Sequence, residues 1–304
     1  MRLRTLDKGE TVGHTLLFHF ISLIAGVRLP DAARIVLYHK DFYGKAMASW
    51  TDQTMRGPSN WSVGERELLA AMVAKWNVCS FCVTAHGAMA ALELGDPFVN
   101  TALQNPGKIN PSGKLKQILV LLEKLVKTPE SLSTMDIKRI MDQGINRKEL
   151  EDAMAVTAVF SITVRCANAF DFAQLDKEDA IRMAKQMLAR GYIRGKHKPS
   201  DRPNHTQMAE QLRHRILGSN GETDPILRRA IAQRINGGPP LPPAYDELVV
   251  LIDTASYKIT DSHVRRLVTT MKGEKAAFEI ITTAAVAAGL RYWDIGRKIL
   301  MQIV

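Results

Sequence analysis

The sequence predicts an all-α protein, and three observations support this fold class. Hydrophobic residues make up 46% of the 304 residues but aromatic residues only 6%, a composition that suits helical cores built from Ala, Leu, Ile and Met. Apolar residues recur at intervals of three and four in many stretches, whereas the alternating pattern of a β-strand is scarce. Capping residues, Gly and Pro divide these stretches into helices of ordinary length.

The N-terminal region, residues 13–56, predicts two or three helices, and Pro30 precedes the second of them. Its apolar run at 16–27 contains His19 and is too short to cross a bilayer, because a spanning helix needs about 20 apolar residues. We therefore expect a buried helix there, with binding at a membrane surface as the alternative. A turn at 56–60 ends the region.

The next region predicts two helices joined by a short break. The first covers 63–76, where Ser62 is the N-cap and its Ser-x-x-Glu spacing to Glu65 makes a capping box. The second is expected to start at Asn77 or the residue after it and to stop at Gly95. Together they predict a helix hairpin.

The rest of the chain continues the helical pattern. Residues 114–127 predict an amphipathic helix, and Ser133 caps the helix after it. Asn146 is the N-cap of a long and nearly continuous apolar helix, 147–170, which we expect to be central. Further helices are predicted in the C-terminal part, at 205–217, 225–235 and within 244–304.

Two of the three cysteines, Cys79 and Cys82, form a C-x-x-C motif, and His86 follows four residues later. Positions i, i+3 and i+7 share one face of a helix, so the three side chains should point the same way. Cys79 would lie in the first turn, where free N–H groups and the helix dipole favour a thiolate. Because a histidine can accept and return a proton near neutral pH, the motif predicts a redox dithiol with its own base.

Glu67 lies twelve residues before Cys79 and has no capping role. A glutamate at this distance, then C-x-x-C and x-x-x-His, resembles the AhpD-like alkylhydroperoxidases of the carboxymuconolactone decarboxylase superfamily. Arg66-Glu67-Leu68 and Asn77-Val78-Cys79 are also similar to that family's motifs. The resemblance covers roughly residues 30–175. It implies an AhpD-like helical bundle with its C-x-x-C site on a helix hairpin.

The resemblance also implies roles for four residues. In the family the two cysteines reduce peroxides, while the glutamate and the histidine form a proton relay. Carried over to this chain, the catalytic residues are Cys82, Cys79, His86 and Glu67. Family precedent and the proximity of His86 favour Cys82 as the attacking thiol and Cys79 as the resolving one, whereas the dipole argument favours Cys79. Both orders stay open, with Cys82 as the predicted nucleophile.

The sequence departs from the founding members of the family at two positions. Phe81 stands between the cysteines where those enzymes carry a second histidine, which is closer to the peroxidase-related branch. Val164 stands where the family often has an asparagine before an arginine, here Arg165. The dithiol chemistry is unaffected, and the substrate is left open.

Other interpretations of the motif are a zinc site and a purely structural role. Zinc binding by Cys79, Cys82 and His86 would need a fourth ligand, and no second Cys/His pair has metal spacing. Covalent haem attachment is excluded, since it needs a histidine directly after the second cysteine. We therefore predict no metal and no cofactor. Cys166, in an apolar run, is expected to be an inert core thiol, and His39 could line a pocket.

The net charge of +10 bears on possible partners. Residues 181–235 contain twelve Lys or Arg and four Asp or Glu, a local net charge of +8. No aromatic interleaving and no nucleic-acid module accompany this charge, so a solvated basic face is expected and nucleic-acid binding is not. Anionic substrates or an acidic partner surface remain open.

Three domains are predicted: an AhpD-like helical domain at 1–190, a basic linker with short helices at 191–243, and a smaller C-terminal helical region at 244–304. The last resembles a degenerate repeat, because residues 259–267 are similar to 132–140. Such units pack against one another, so this region is expected either to cover the first domain or to build an oligomer interface, and a homo-oligomer is expected. Three cysteines make no disulfide framework and the N-terminus has no signal-peptide layout, which predicts a reducing, cytoplasmic location without membrane association.

The predicted function is a thiol-dependent peroxidase or dithiol oxidoreductase. A hydroperoxide is the expected substrate, and the family resemblance implies a lipoyl or thioredoxin-like dithiol donor. The alternative is a redox-sensing helical interaction protein with little turnover. Glu67→Gln is expected to slow thiol chemistry by about one to two orders of magnitude with little effect on folding, and Glu65→Gln to leave it intact.

Overall fold

The structure is a computed structural model, and it describes residues 1–9, 13, 15, 16, 20, 29–109, 113–193 and 202–303. These residues are largely helical and contain no β-strand, so the all-α prediction is confirmed. The helix predicted at 16–27 falls almost wholly outside the described residues.

The described helices follow one another with short connections. In chain order they are α1 Arg4–Lys8, α2 Asp31–Tyr38, α3 Lys45–Arg56, α4 Val63–Trp76, α5 Ser80–Leu94, α6 Asp96–Gln104, α7 Lys114–Lys127, α8 Thr134–Asp142, α9 Arg147–Phe170, α10 Lys177–Arg190, α11 His205–Gly218, α12 Pro225–Ile235, α13 Pro243–Thr254, α14 Asp261–Met271 and α15 Glu274–Met301. A π-helical turn at Lys40–Gly44 joins α2 to α3.

The predicted bounds of α4, α7, α9 and α12 agree with the observed ones, and side-chain caps fix the starts of α4, α9 and α12. The Ser62 hydroxyl accepts from the backbone N–H of Glu65, and the Glu65 carboxylate accepts from the N–H of Ser62 at 2.7 Å. The side chain of Asn146 accepts from the N–H of Glu149 at 3.0 Å. These two caps depend on residues three positions apart, so they can be read from sequence.

The helix of the C-x-x-C motif begins later than predicted. Its first residue is Ser80, and Cys79 is the N-cap, not a residue of the first turn. The break between α4 and α5 therefore spans Asn77, Val78 and Cys79. Val78 has a φ of 53°, a left-handed conformation that is rare for a β-branched residue and ends any continuous helix.

Contacts group the chain into two compact units. The first comprises Met1–Ser49, Ile162–Gln174 and Thr206–Ala288, and the second comprises Trp50–Ser161, Leu175–His205 and Gly289–Val304. Neither unit is a continuous stretch of sequence. The predicted division at residues 190 and 243 stays a prediction.

The core of the second unit is built around α4. This helix packs closely against α5, and α10 packs against α5 in turn. Residues 68–74 of α4 are all fully buried, so the helix lies inside the unit rather than on its surface. The buried Arg66 donates to the carbonyl groups of Thr54 and Gly57 at the end of α3.

The core of the first unit contains an aromatic cluster centred on Phe278. Its ring stacks on Phe170 at a centroid distance of 5.4 Å and meets Tyr38 and Tyr43 edge-on at 5.0 and 6.1 Å. Cys166 is buried beside this cluster, with its sulfur 3.9 Å from the Tyr43 hydroxyl. Burial raises the pKa of Cys166 to about 12, which fits the expected inert thiol.

One series of elements recurs in the chain at a spacing of 127 residues. Helices α7 and α13 end at 127 and 254, 3-10 turns follow at Pro129–Ser131 and Ser256–Lys258, and α9 and α15 begin at 147 and 274. The N-caps of α8 and α14, Ser133 and Thr260, keep the same spacing. The predicted repeat itself stays a prediction.

Among the described residues, α9 is long and apolar enough to cross a membrane. However, 89% of its most apolar window is buried inside the protein, as is usual for the core helix of a globular fold.

Candidate active site

All four residues predicted for the site lie in the second unit. Glu67 is on α4, Cys79 caps α5, and Cys82 and His86 are in the first two turns of α5. The close packing of α4 on α5 brings the glutamate to the helix that carries the thiols. Both cysteines are free thiols, and their exposed fractions are 2% for Cys79 and 0% for Cys82.

Glu67 and His86 form a buried hydrogen bond across the hairpin. The distance from Nδ1 of His86 to Oε2 of Glu67 is 2.7 Å, and the carboxylate is fully buried. Because the carboxylate accepts at Nδ1, that nitrogen carries a proton, and Nε2 is the nitrogen that can accept one. Phe160 packs edge-on against the imidazole at 4.4 Å and fixes the plane of the ring.

Arg56 is a second partner of Glu67 that the sequence did not reveal. Its Nη1 lies 2.7 Å from Oε1 of Glu67, and its side chain is only 10% exposed. Burial alone would raise the pKa of Glu67, but the hydrogen bond from His86 and the charges of His86 and Arg56 outweigh it and lower that pKa. Glu67 is therefore ionised, and it also neutralises the partly buried Arg56. The expectation that folding is indifferent to Glu67 has to be revised for this reason.

Tyr192 is a third partner, although it lies in the predicted linker at 191–243. Its hydroxyl lies 3.2 and 3.3 Å from the two carboxylate oxygens of Glu67 and 3.4 Å from Nδ1 of His86. Burial raises the pKa of Tyr192 well above its ordinary value, and the negative charge of Glu67 adds to this effect. The phenol is therefore protonated and donates to the carboxylate.

The two thiols interact with each other. A hydrogen bond from the Cys82 thiol is the largest cause of a lowered pKa of Cys79; burial opposes it, and the amide groups of Cys82 and Phe81 reinforce it. Cys82 is also close enough to Tyr192 for a negative charge on its sulfur to raise the pKa of that phenol. The surroundings thus lower the pKa of Cys79, whereas Cys82 lies close to Tyr192 of the relay. The order of attack stays a prediction.

The remaining candidates lie elsewhere. His39 is in the first unit, where its Nε2 lies 3.1 Å from Oε1 of Glu279, so it belongs to a different polar cluster. Arg165, in the same unit, donates to the carbonyl of Asp253. Phe81 is buried next to the thiols. Within the described residues, no group of three or more His, Cys, Asp or Glu side chains is arranged to hold a metal ion.

A scan of protein-family models and a search of curated proteins find no match to this chain. Solved structures that are similar to it include two peroxidase-related proteins. One is the alkylhydroperoxidase AhpD core of an uncharacterized peroxidase-related protein from Ralstonia eutropha JMP134, with 22% identity, 58% of this chain and 90% of that chain covered, and a TM-score of 0.47. The other is an uncharacterized peroxidase-related protein from Silicibacter sp. TM1040, with 22% identity, 60% and 93% covered, and a TM-score of 0.49.

Proposed function

We propose that the protein is a thiol-dependent peroxidase or dithiol oxidoreductase of the AhpD-like kind. The observation that carries this proposal is the hydrogen bond of 2.7 Å between the buried carboxylate of Glu67 and Nδ1 of His86. It holds a base in one tautomer on the helix that Cys79 caps and that contains Cys82. A thiol next to an oriented imidazole is the usual arrangement for producing a thiolate nucleophile.

The role of Glu67 in this mechanism is electrostatic. When His86 takes a proton from a thiol, an imidazolium forms in a buried site, and the adjacent carboxylate stabilises it. Arg56 shares the same carboxylate at 2.7 Å and weakens this attraction. The balance keeps the imidazolium able to give the proton back later in the cycle.

The reaction proceeds in two covalent steps. A thiolate attacks the distal oxygen of the hydroperoxide, so an S–O bond forms and the O–O bond breaks. The alcohol leaves with a proton from His86, and the cysteine becomes a sulfenic acid. The second thiol then attacks the sulfenic sulfur, an S–S bond forms, and the hydroxyl leaves as water. Two electrons have moved from the dithiol to the peroxide.

A dithiol donor of the lipoyl or thioredoxin-like class restores the pair by thiol–disulfide exchange, and the donor is oxidised to its own disulfide. Cys79 is the more accessible end for this exchange, because its neighbours Val78 and Ser80 are exposed whereas Cys82 is fully buried. A slender dithiol can reach such a sulfur more easily than a broad protein surface can.

The test is peroxide consumption with dihydrolipoamide as reductant, comparing wild type with Cys82→Ser. We expect loss of turnover by at least about two orders of magnitude, since the attacking or resolving thiol is gone. Cys166→Ser, which removes a buried thiol of the first unit, is the matched control and should keep full activity. Equal rates in wild type and Cys82→Ser would overturn the proposal.

A redox sensor with little turnover is the second candidate, and the near-complete burial of both sulfurs favours it. In that case oxidation of the pair changes the oligomeric state or partner binding, while peroxide is consumed only stoichiometrically. Size-exclusion chromatography of the reduced and oxidised protein, alongside the turnover assay, separates the two functions. With either function, we propose a cytoplasmic location and a homo-oligomer.

A further inference from the structure

We propose that Tyr192 is a positioning residue for the Glu67–His86 pair, a role that rests on the proposed function. Its hydroxyl fixes the orientation of the Glu67 carboxylate, so that one oxygen stays on His86 while the other stays on Arg56. The motif of four residues is thereby extended by a residue from the end of a distant helix.

The contacts around Glu67 divide its two oxygens. Oε1 lies 2.7 Å from Nη1 of Arg56, and Oε2 lies 2.7 Å from Nδ1 of His86. The Tyr192 hydroxyl is almost equidistant from both, at 3.2 and 3.3 Å. A donor between the two oxygens resists rotation of the carboxylate about its own axis. Without the hydroxyl, the carboxylate could rotate, and Arg56 could draw both of its oxygens away from His86.

The direction of the hydrogen bond follows from the neighbouring charges. Glu67 is ionised and can only accept, and Nδ1 of His86 already donates to it. The hydroxyl, 3.4 Å from Nδ1, therefore points its proton at the carboxylate and turns its oxygen towards the imidazole. A charge-assisted hydrogen bond of this kind is about twice as strong as a neutral one.

The backbone around Tyr192 is held by buried groups of the same unit. Oδ1 of Asp52 accepts the N–H groups of Tyr192 and Ile193 at 3.1 and 3.2 Å, and Asp52 is only 2% exposed. Gly191 ends α10 with a φ of 73°, a conformation that favours glycine. The guanidinium of Arg56 lies 4.9 Å from the centre of the Tyr192 ring.

Two residues of α3 hold Tyr192 in place. Asp52 and Arg56 are four residues apart on α3, so they lie on one face of it. One holds the tyrosine backbone and the other holds both the ring and the carboxylate. Further along the chain, Asp152 accepts from Arg202 at 2.7 Å and lies 3.2 Å from Nε2 of His205. The described residues on both sides of 194–201 are thus held by buried aspartates.

The experiment is the pH dependence of thiol alkylation by iodoacetamide in Tyr192→Phe, which keeps the ring and removes only the hydroxyl. We expect alkylation about tenfold slower at pH 7 and a pH midpoint shifted upwards, because the imidazolium loses a correctly oriented carboxylate. A merely structural role would lower the melting temperature but leave the midpoint of the folded protein unchanged, and that result would overturn the proposal.

The matched control is Tyr43→Phe, the same change at the buried tyrosine beside Cys166, which should leave the profile unaltered. If Tyr192→Phe fails to fold, Gly191→Ala provides the second test. A Cβ there would lie 3.3 Å from Oδ1 of Asp52 in a strained backbone conformation, so it displaces the tyrosine without altering its chemistry. We expect a weaker shift in the same direction, and an unchanged midpoint would count against the role.

Alkylation requires no peroxide, so the two proposals can fail separately. If wild type shows a lowered midpoint that depends on Tyr192 but no peroxide turnover, the peroxidase proposal fails and the positioning role stands. If turnover is normal and Tyr192→Phe matches wild type in both assays, the positioning role fails and the peroxidase proposal stands.

Discussion

The two units each contain a buried glutamate bonded to a histidine, yet the surroundings of the two pairs differ. Glu67 in the second unit and Glu279 in the first are both fully buried. The distances from carboxylate oxygen to imidazole nitrogen are 2.7 Å to His86 and 3.1 Å to His39. Each glutamate also has an arginine nearby, Arg56 at 2.7 Å and Arg228 at 3.6 Å.

The difference lies in the other partners. Glu279 accepts the backbone N–H groups of Glu222 and Thr223, both at 2.8 Å, and the Thr223 hydroxyl at 2.6 Å. A Cβ at Gly221 would lie 2.5 Å from one of its oxygens, so the loop is folded tightly on the carboxylate. Among the described contacts of Glu67, by contrast, every hydrogen-bond or ion-pair partner is a side chain.

A buried Glu–His pair is therefore not by itself a sign of catalysis. The Glu279 carboxylate mainly accepts hydrogen bonds from a loop, and its partner His39 stacks on Phe42 at a centroid distance of 5.1 Å. The described hydrogen bonds and ion pairs of the Glu67 carboxylate are all to side chains. Its partner His86 lies on the helix that Cys79 caps and that contains Cys82. The backbone contacts of the carboxylate and the neighbours of the imidazole separate the structural pair from the pair that we propose to be reactive.

The largest expected effect is on stability, from Glu279→Gln. This change leaves Arg228 buried without its counter-charge, which should lower the free energy of unfolding by about 3 kcal/mol. Burial acts to raise the pKa of Glu279, but hydrogen bonds from His39, Thr223 and the loop amides lower it to about 2. The carboxylate's contribution is thus present above its ordinary value of 4.5 and is lost as the pH falls towards 2.

Urea unfolding of wild type and Glu279→Gln at a series of pH values measures this directly. The stability difference should be greatest near neutral pH and should narrow below about pH 4.5, while thiol alkylation stays at the wild-type rate. A variant that unfolds like wild type, or that loses thiol reactivity while still folded, would contradict the structural assignment of Glu279.

The next effect is on reactivity, from Glu67→Gln. Thiol alkylation should slow by about one to two orders of magnitude near pH 7, because the imidazolium loses its counter-charge. Stability should fall as well, since the partly buried Arg56 loses its ion pair. Alkylation rates against pH, together with urea unfolding, measure both changes.

Glu65→Gln is the control for Glu67→Gln, since it is two residues away and serves only the capping box. It should keep the alkylation rate and lose at most about 1 kcal/mol of stability. A slow Glu65→Gln beside a normal Glu67→Gln would mean that the relay residue has been assigned to the wrong face of α4.

The smallest effect concerns the two sulfurs, through Cys82→Ala. The lowered pKa of Cys79 depends chiefly on the hydrogen bond from Cys82, so its loss should move the alkylation of Cys79 to higher pH. Mass spectrometry of the alkylated peptide measures the titration of that single site. An unchanged titration would assign the effect to the amides of the helix terminus alone.

Local residues explain most of what the sequence predicted. Ser62 and Glu65 are three positions apart and fix the start of α4, and the four motif residues lie within 67–86, on two helices joined by a short break. Such features depend on spacing, which a sequence displays directly. The start of α5 was misplaced because nothing in the sequence indicates that Val78 takes a left-handed backbone conformation.

The missed partners depend on tertiary contacts. Arg56 ends a helix and precedes a Gly-Pro turn, a common position for an arginine that gives no sign of a role in a site. Tyr192 follows α10 in a stretch of Gly, Lys and Pro that is typical of a linker. Neither has a periodic or local relation to Glu67, so only the packing of α3, α4 and the end of α10 brings them to it.

The distance of 125 positions between Glu67 and Tyr192 limits how far this site can be transplanted. A graft of residues 63–94 onto another helical scaffold would carry the whole recognisable motif, from Glu67 to His86. It would leave behind the arginine and the phenol that keep the carboxylate aligned. Such a graft would reproduce the composition of the site without its electrostatic setting, and a designer would have to supply two further donors from elsewhere in the host.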